Sequence, residues 1–405
     1  MDVFRGIRRM EDLLLEGRRV LIRVDFNCPL TPEGEVADDA RIEAALPTLK
    51  YAIEQGAKVV LASHLGRPKG RRVPELSMTT VGERLRELLT RDLGREMEIY
   101  VPDDCVGDGP RKVVMERVEG EVVLLENLRF YAEEEANDNV FAQRLAALCD
   151  IYINDAFASS HRAHASVSAV TRHVAEKGVG QLMARELTAL GKLLNQPDPP
   201  FALVLGGARV SEKLGAVNSL LGKVKLIVVG GGTANTFLAA RGLPIGLSHV
   251  ESDRVEVVQN LMSRARLRGV EVLLPVDVVF TRPGGDENGE IARIEALPAD
   301  ATIVDIGPET RTAYAQALAG ARTVFWNGPL GVYEKRPFIA GTEAIGKAIA
   351  RSRAVSVLAG GDTVAAVTRL ALRPFFKHVS TGGTSALEFL EGKELPGIEA
   401  LREAT

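Results

Sequence analysis

The chain has 405 residues, of which 46% are hydrophobic and 26% charged, and its formal net charge is −4. This length predicts two domains of about 200 residues each, and the composition is that of an ordinary globular protein with sizeable cores. The weak negative charge excludes a global attraction to nucleic acid or to a membrane surface, so an anion site would need a local concentration of cations.

The three cysteines, Cys28, Cys105 and Cys149, are widely spaced and form no CxxC pair. This spacing argues against a disulfide framework or a zinc site and is typical of a reducing compartment. The first residues lack the apolar core of a signal peptide, and no apolar run approaches the length that spans a membrane. We therefore expect a cytoplasmic protein.

Short apolar runs, each followed by glycine or polar residues and then by helical spacing, recur along the chain. They predict strands at residues 20–24, 58–62, 98–101, 121–125 and 151–153, and then at 201–205, 226–229, 272–274, 303–306, 323–326 and 355–358. Continuous runs of Val, Ile and Leu are typical of strands that are buried on both faces of a parallel sheet. Two α/β halves of similar size follow from this pattern.

Between the two series, leucine and methionine recur at helical spacing over residues 179–194, and the proline-rich residues 195–200 then end the helix. We interpret this helix as the connector between the halves. An ordinary helix that covers a sheet is the alternative, and the sequence leaves both open.

Cationic side chains follow four of the strands predicted in the first half. In open α/β sheets, ligands bind beyond the carboxyl ends of the strands, so these residues are candidate ligand contacts. They are Arg41, His64, Arg67, Arg129 and Arg162. Each alone would ordinarily be a solvated or structural residue, but together, with Asp25 and Asn27 available for hydroxyl groups, they predict a basic pocket for a small, hydroxylated polyanion.

Glycines follow the first strand of the second half. We expect residues 206–215, which begin with Gly206 and Gly207, to open a helix whose free N–H groups attract an anion. On such a helix Arg209 and Lys213 would share one face, because they are four residues apart. A tight turn followed by solvated cations is the alternative.

Glycine also recurs at the later strand-to-helix turns, where it lets a nucleotide lie against the backbone. Asp362, at the start of a predicted helix, suits either an N-cap or a Mg²⁺ ligand. Residues 341–347 imitate a phosphate-binding loop, but Ala348 replaces the magnesium-binding hydroxyl and no strand precedes them. We interpret them as a plain helix start.

Five motifs, in this order along the chain, resemble those of phosphoglycerate kinases. They are Arg23-Val24-Asp25-Phe26-Asn27, Ser63-His64-Leu65-Gly66-Arg67-Pro68, Glu126-Asn127-Leu128-Arg129-Phe130, Phe325-Trp326-Asn327-Gly328-Pro329 and Gly360-Gly361-Asp362-Thr363. The resemblance spans nearly the whole chain. It implies an α/β protein with two Rossmann-like parallel-sheet domains that face each other across a cleft and are joined by a connector helix.

The resemblance implies a 3-phosphoglycerate domain over residues 1–178, a connector helix and hinge over 179–200, a nucleotide-binding domain over 201–385 and a segment, 386–405, that returns to the first domain. It also implies reversible, Mg²⁺-dependent phosphoryl transfer between 1,3-bisphosphoglycerate and ADP, giving 3-phosphoglycerate and ATP, with hinge bending. We expect a monomer that binds these small molecules and neither nucleic acid nor membrane.

Matching positions carry the roles of the family's residues to this chain. The substrate-binding residues implied are Asp25, Phe26, Asn27, Arg41, His64, Leu65, Gly66, Arg67, Arg129 and Arg162. The nucleotide-binding residues implied are Gly206, Gly207, Arg209, Lys213, Gly231, Asn327, Glu334, Gly360, Gly361, Asp362 and Thr363, with Glu334 on the ribose and Asp362 on the metal. The catalytic candidates are Arg41, Lys213 and the amides near Gly361 and Gly383.

The chain departs from the family at three positions. The family usually has lysine where this chain has Arg209, a further glycine where it has Ala359 and a glycine-rich turn where it has Thr384. These differences affect the positioning of the phosphates.

Two other classes of protein share parts of the pattern. A nicotinamide-dependent dehydrogenase would need a GxGxxG fingerprint, which is missing, and a solute-binding protein usually carries an export signal.

Overall fold

The computed structural model describes residues 2–403 and divides them into two compact units. The first unit comprises residues 2–188 and 394–403, and the second comprises residues 189–393. Each unit contains its own six-stranded parallel sheet, which confirms the predicted pair of parallel α/β domains.

The first unit is built on a sheet with the strand order β3-β4-β2-β1-β5-β6, in which all neighbours are parallel. The strands are β1 (Arg19–Arg23), β2 (Lys58–Ala62), β3 (Ile99–Tyr100), β4 (Val122–Leu124), β5 (Ile151–Asn154) and β6 (Glu176–Val179). The helices are α1 (Ala40–Glu54), α2 (Thr79–Leu93), α3 (Asp108–Met115), α4 (Ala132–Glu135) and α5 (Asn139–Ala146). Because parallel strands end at one edge, the loops after them lie together.

The central strands of this sheet are buried because helices pack on them. Val20 and Ile22 of β1 lie in one core with Leu49 of α1 and Leu85 of α2. Burying such a side chain contributes about 1.5–3 kcal/mol, which is why the apolar runs predicted these strands well. Strand β6 was not predicted, since its sequence, Glu176-Lys177-Gly178-Val179, contains only one strongly apolar residue.

The predicted connector is helix α6 (Gln181–Asn195), and the division between the two units falls inside it, between Thr188 and Ala189. The helix begins at Gln181 and not at the predicted residue 179, which ends β6. Side chains of the first unit satisfy its first N–H groups, because Oγ1 of Thr48 accepts from Gln181 at 3.0 Å and Oδ1 of Asp155 accepts from Met183 at 3.0 Å.

The second unit contains a parallel sheet with the order β15-β14-β13-β7-β8-β9 and an antiparallel sheet with the order β11-β10-β12. The strands are β7 (Phe201–Leu205), β8 (Leu226–Val229), β9 (Glu271–Leu273), β10 (Asp277–Thr281), β11 (Glu290–Arg293), β12 (Thr302–Ile306), β13 (Thr323–Asn327), β14 (Val355–Ala359) and β15 (His378–Val379). The helices are α7 (Leu214–Leu220), α8 (Gly231–Ala240), α9 (Val255–Leu267), α10 (Pro308–Leu318), α11 (Ala340–Arg351), α12 (Gly361–Arg369) and α13 (Thr384–Glu391).

The antiparallel sheet corrects one prediction. Residues 303–306 were assigned to the parallel series, but β12 pairs antiparallel with β10 and takes no part in the parallel sheet. A short apolar run looks the same in both kinds of sheet. Its partner β10 is buried but was not predicted, and β11, which pairs with β10, is too polar to be recognised by hydropathy. Helix α11 begins at Ala340 after a short 3-10 helix, so the interpretation of residues 341–347 as a plain helix start is confirmed.

The last part of the described chain attaches to the first unit. It contains α14 (Pro396–Glu399), and Nδ2 of Asn154 donates to the carbonyl of Gly397 at 3.0 Å. Residues 386–393 belong to the second unit, so the division lies later than the predicted residue 386.

Among residues 2–403, no helix combines the length and the apolar character needed to cross a membrane.

Candidate active site

A carboxylate and a guanidinium meet beyond the end of β1. Asp25 lies in the loop after β1, and Arg41 is the second residue of α1; Nη1 of Arg41 donates to Oδ1 of Asp25 at 2.7 Å. Oγ of Ser159 donates to Oδ2 at 3.1 Å. Burial alone would raise the pKa of Asp25, but the positive charges of Arg41 and Arg23 and a hydrogen bond from the N–H of Asn27 oppose burial, and that pKa lies well below its usual range. Asp25 is therefore an anion that fixes the cation of Arg41.

The loops after β1, β2 and β4 meet at Gly66. Oδ1 of Asn27 accepts from the N–H of Gly66 at 2.8 Å, and Nη1 of Arg129 donates to the carbonyl of Gly66 at 2.9 Å. The three strand ends thus bring four of the predicted substrate residues, Asp25, Asn27, Gly66 and Arg129, into one place. Shared position beyond a parallel sheet was the signal that predicted this grouping.

His64 is buried behind these loops, with 3% of its surface exposed. Its Nδ1 lies 3.1 Å from Nη2 of Arg23. Burial lowers the pKa of His64 well below its usual range; Asp25 opposes the shift, and the cations of Arg23, Arg129 and Arg41 add to it. His64 is therefore neutral at neutral pH, although it stands among cations.

Two further predicted cations, Arg67 and Arg162, are exposed. Nε of Arg162 donates to Nε2 of His161 at 3.1 Å, and its charge acts on Arg129, whose pKa burial lowers while Glu135 opposes the shift. The guanidinium groups of Arg129 and Arg162 thus lie close enough for mutual repulsion. Such a concentration of positive charge favours a polyanionic ligand.

Phe26 and Leu65 contribute to the site through their backbone N–H groups. Both side chains are buried, and their N–H groups donate to Oγ of Ser63 at 2.9 Å and to Oδ1 of Asn127 at 3.2 Å. These two residues fix the shape of the loops after β1 and β2.

In the second unit, the structure corrects the prediction for residues 206–215. Helix α7 begins at Leu214, so Arg209 and Lys213 precede it and do not share a helix face. The N–H groups of Gly206 and Gly207 are not open to an anion, because they donate to the carbonyls of Asn327 at 2.9 Å and Pro329 at 2.7 Å.

The close approach of two loops explains these glycines. A Cβ atom at Gly206 would lie 2.2 Å from the carbonyl oxygen of Pro329, and one at Gly328 would lie 2.1 Å from the carbonyl carbon of Gly206. The loops that follow the neighbouring strands β7 and β13 therefore each need a glycine where they meet. A glycine pair after a strand could not reveal from sequence alone whether it packs against protein or ligand.

The two cations in this loop have different environments. Lys213 is buried, and its Nζ donates to the carbonyl of Arg209 at 2.9 Å. Burial lowers the pKa of Lys213, while Glu212 and Glu251 oppose that shift. The side chain of Arg209 is 64% exposed and pairs with Oε1 of Glu212 at 2.5 Å.

The turn after β14 lies against the loop after β13. Nδ2 of Asn327 donates to the carbonyl of Ala359 at 3.0 Å, and the N–H of Gly328 donates to Oγ1 of Thr363 at 2.7 Å. Gly231, the first residue of α8, donates its N–H to the carbonyl of Leu330 at 3.0 Å. The predicted residues Asn327, Thr363 and Gly231 are thus brought to one edge of the second parallel sheet.

Asp362 and Glu334 are exposed at the same edge. Asp362 is the second residue of α12, whose N-cap is Gly360, so the alternative that Asp362 is the N-cap was wrong. The hydroxyl of Tyr333 lies 3.5 Å from Oδ1 of Asp362, and Nη1 of Arg369 donates to the carbonyls of Tyr333 and Glu334 at 3.1 Å each. These contacts attach the loop that carries Glu334 to both ends of α12. The last catalytic candidate, Gly383, is the N-cap of α13.

The chemistry of Asp362 fits a magnesium ion that is carried by a nucleotide. Residues 2–403 contain no group of three acidic, histidine or cysteine side chains that could enclose a metal. Mg²⁺ keeps several water molecules and is commonly held by one or two carboxylates together with substrate phosphates. An exposed carboxylate in the first turn of a helix provides such a ligand.

A model of the phosphoglycerate kinase family matches residues 10–393. The chain belongs to the phosphoglycerate kinase family. A phosphoglycerate kinase of Anaeromyxobacter dehalogenans (strain 2CP-1) is 48% identical over 403 residues, which cover 98% of this chain and 100% of the relative.

Solved structures of phosphoglycerate kinases agree with the family membership. The protein from Coxiella burnetii has a TM-score of 0.84 and 38% identity, with 98% of both chains covered. The protein from Pyrococcus horikoshii OT3 has a TM-score of 0.83 and 33% identity, with 97% of this chain and 98% of that chain covered.

Sequence reasoning missed the residues that lie directly behind the basic pocket. Arg23, at the end of β1, is fully buried, and its Nε donates to Oγ of Ser166 at 2.8 Å. The hydroxyl of Ser166 donates in turn to Oε1 of Glu134 at 2.5 Å. The available signal was an arginine inside a run that predicts a strand buried on both faces, since such a cation needs internal partners.

Proposed function

We propose that this chain catalyses reversible phosphoryl transfer between the acyl phosphate of 1,3-bisphosphoglycerate and ADP, giving 3-phosphoglycerate and ATP in glycolysis and gluconeogenesis. The match of the phosphoglycerate kinase family over residues 10–393 is the observation that carries the proposal. The acceptor in the reverse direction is a carboxyl group. The basic pocket of the first unit suits such a substrate, because it combines cations with the anion Asp25 for a hydroxyl group.

The first unit is proposed to bind 3-phosphoglycerate. Arg129, Arg162 and Arg67 would neutralise its phosphate or carboxylate, because guanidinium groups bind planar anions through two hydrogen bonds. Asp25 and Asn27 would orient the substrate, Asp25 as an acceptor for its hydroxyl. His64 would donate a hydrogen bond without adding charge, since its ring is neutral.

The reaction needs no general base. The attacking carboxylate of 3-phosphoglycerate is already ionised at neutral pH, so no proton has to leave the nucleophile. The protein then has to position the reactants and to stabilise negative charge on the transferred group. We assign this second task to Arg41 in the first unit and to Lys213 and the amides near Gly361 and Gly383 in the second. Asp25 holds the guanidinium of Arg41 in place before substrate binds.

The second unit is proposed to bind ADP or ATP at the edge that carries Asn327, Glu334 and the 360–363 turn. Glu334 would bind the ribose and Arg209 the phosphates. Asp362 would hold Mg²⁺, which supplies electrostatic neutralisation of the nucleotide phosphates when it is bound. The N–H groups in the first turn of α12 lack partners within the helix, as in any helix, and are available to phosphate oxygens.

Three finer assignments belong to the proposal. Hinge bending is assigned to α6, where the division between the compact units falls. The protein is proposed to act as a monomer on small molecules, without nucleic acid. The cytoplasm is the proposed location, in keeping with a glycolytic family and with three buried free thiols.

ATP formation from ADP and 1,3-bisphosphoglycerate in the presence of Mg²⁺ tests the proposed function. Purified protein should form ATP only when both substrates and Mg²⁺ are supplied. Absence of ATP formation by folded protein would refute the proposal.

A further inference from the structure

Behind the basic pocket, three buried side chains form a continuous chain of hydrogen bonds, which we name the buried relay. Its members are Glu134, Ser166 and Arg23, and each has no exposed surface. The backbone N–H of Ser166 adds a bond to Oε2 of Glu134 at 2.8 Å, beside the 2.5 Å bond from its hydroxyl to Oε1. The relay thus links a buried carboxylate to a buried guanidinium through one hydroxyl.

Arg23 is fixed on all sides of its guanidinium. Its Nε donates to Oγ of Ser166 at 2.8 Å, its Nη1 to the carbonyl of Val24, and its Nη2 faces Nδ1 of His64 at 3.1 Å. Because a guanidinium has no acceptor, it can only donate across the last of these contacts. Nδ1 of His64 must therefore carry a lone pair and no proton.

This constraint decides both the charge and the tautomer of His64. A protonated imidazole would point its Nδ1–H at an N–H of the guanidinium, and the two donors would repel each other. The neutral Nδ1–H tautomer is excluded for the same reason. The neutral Nε2–H tautomer is the state that satisfies the contact. Among the other charged groups that act on the ring, Arg129 and Arg41 also oppose a positive charge on it, whereas Asp25 favours one.

Resting on the proposed function, we infer that the buried relay holds His64 as a neutral donor whose Nε2–H is presented to an oxygen of the bound phosphoglycerate. Ser166 and Glu134 are then positioning residues, because they act on the substrate through Arg23 and His64 and not by contact. The hydroxyl of Ser166 restrains the rotation of the Arg23 guanidinium. It accepts a hydrogen bond from Arg23 and is itself fixed, because it donates to Glu134. His64 consequently contributes no pH dependence to substrate binding between about pH 5 and 8.

The tautomer is measured directly by long-range ¹H–¹⁵N correlation of the histidine rings in the wild-type protein. The chain has six histidines, and the spectrum of His64→Gln identifies the signals of His64 by their loss. We expect one neutral Nε2–H form without titration between pH 5.5 and 8. A protonated ring or an Nδ1–H form at pH 7 would overturn the inference, whether or not any relay variant folds.

Ser166→Ala and Ser166→Thr test the positioning role as a matched pair. Ser166→Ala should raise the KM for 3-phosphoglycerate about tenfold, leave the KM for MgATP unchanged and allow His64 to exchange tautomers or titrate. Ser166→Thr keeps the hydroxyl and should restore wild-type KM and spectrum. Unchanged KM and His64 signals in Ser166→Ala would contradict the role of the relay. A wild-type protein that shows the Nε2–H form but forms no ATP would instead refute the proposed function and leave the tautomer assignment standing.

Discussion

Arg41 donates a hydrogen bond to Asp25 across 2.7 Å, and this pair joins the first turn of α1 to the loop after β1. Asp25 is anionic because the cations around it outweigh its burial. The carboxylate therefore restrains a guanidinium that is still 40% exposed and open to a ligand. A cation held in this way needs little reorganisation when negative charge develops beside it.

Arg41→Ala should lower kcat by about 10²–10³, because it removes preorganised charge stabilisation, and should change the affinity for MgADP only slightly. Initial rates at saturating substrates and calorimetric titration with MgADP measure the two effects. Arg18→Ala, which breaks an ion pair with Glu176 beside the amino-terminal end of β1, is the matched control and should retain its rate. A wild-type kcat in Arg41→Ala would remove Arg41 from the catalytic group.

Asp362→Ala should weaken the binding of MgADP and leave the binding of metal-free ADP nearly unchanged, because the carboxylate is assigned to the metal. Calorimetry with and without Mg²⁺ separates the two. Asp253→Ala changes an exposed aspartate elsewhere in the same unit and serves as the control. Equal MgADP affinities for wild type and Asp362→Ala would show that Asp362 does not hold the metal.

Arg209 provides a prediction about an exposed cation. Its ion pair with Glu212 is exposed, and such pairs contribute only about 0–1 kcal/mol, so the guanidinium can leave Glu212 for a phosphate at little cost. We expect Arg209→Lys to retain most activity, because lysine keeps the charge, and Arg209→Ala to lose at least about tenfold in kcat. Steady-state kinetics of both variants test this, and a fully active alanine variant would identify Arg209 as a solvated residue without a role in catalysis.

Asp155 should make the stability of the first unit pH-dependent. Burial raises the pKa of Asp155 to about 6, although bonds from Thr48 and from the backbone of Met183 oppose the shift. Its folded-state pKa lies above the unfolded value of about 4, so its contribution to stability is fully present below about pH 4 and is lost as the pH rises through 6. A shift of this size corresponds to at most about 3 kcal/mol.

Asp155→Asn should remove this dependence, because the amide oxygen can still accept from Met183 while the side chain no longer titrates. Urea unfolding of both proteins at pH 5 and pH 8 measures the difference, and the variant should be the more stable at pH 8. Asp103→Asn, an exposed change in the same unit, should leave the pH dependence of the wild type in place. Parallel pH profiles for wild type and Asp155→Asn would contradict the assignment.

Hydropathy predicted the parallel strands of both units except β6 and β15, because most of these strands are buried. It missed β6, β11 and β15, which are short or polar, and it also missed the buried strand β10. At β12 the apolar run did not reveal the direction of pairing. Local pattern could not distinguish a glycine that binds a ligand from one that admits a neighbouring loop, as at Gly206, because the contact is made with Pro329, far along the chain.

The basic pocket was predicted from the position of its residues after strands, since the carboxyl ends of parallel strands share one edge. The buried relay was not predicted. Glu134 and Ser166 are 111 and 143 residues from Arg23 and belong to segments without a strong pattern, so only tertiary structure reveals that they meet.

The central claim is that this chain transfers a phosphoryl group between 1,3-bisphosphoglycerate and ADP. The most direct test is ATP formation from these two substrates, followed with and without Mg²⁺ and compared with Arg41→Ala. We predict rapid, Mg²⁺-dependent ATP formation by the wild type and a rate lower by about 10²–10³ in the variant. Folded wild-type protein that binds MgADP but forms no ATP from 1,3-bisphosphoglycerate would contradict the account.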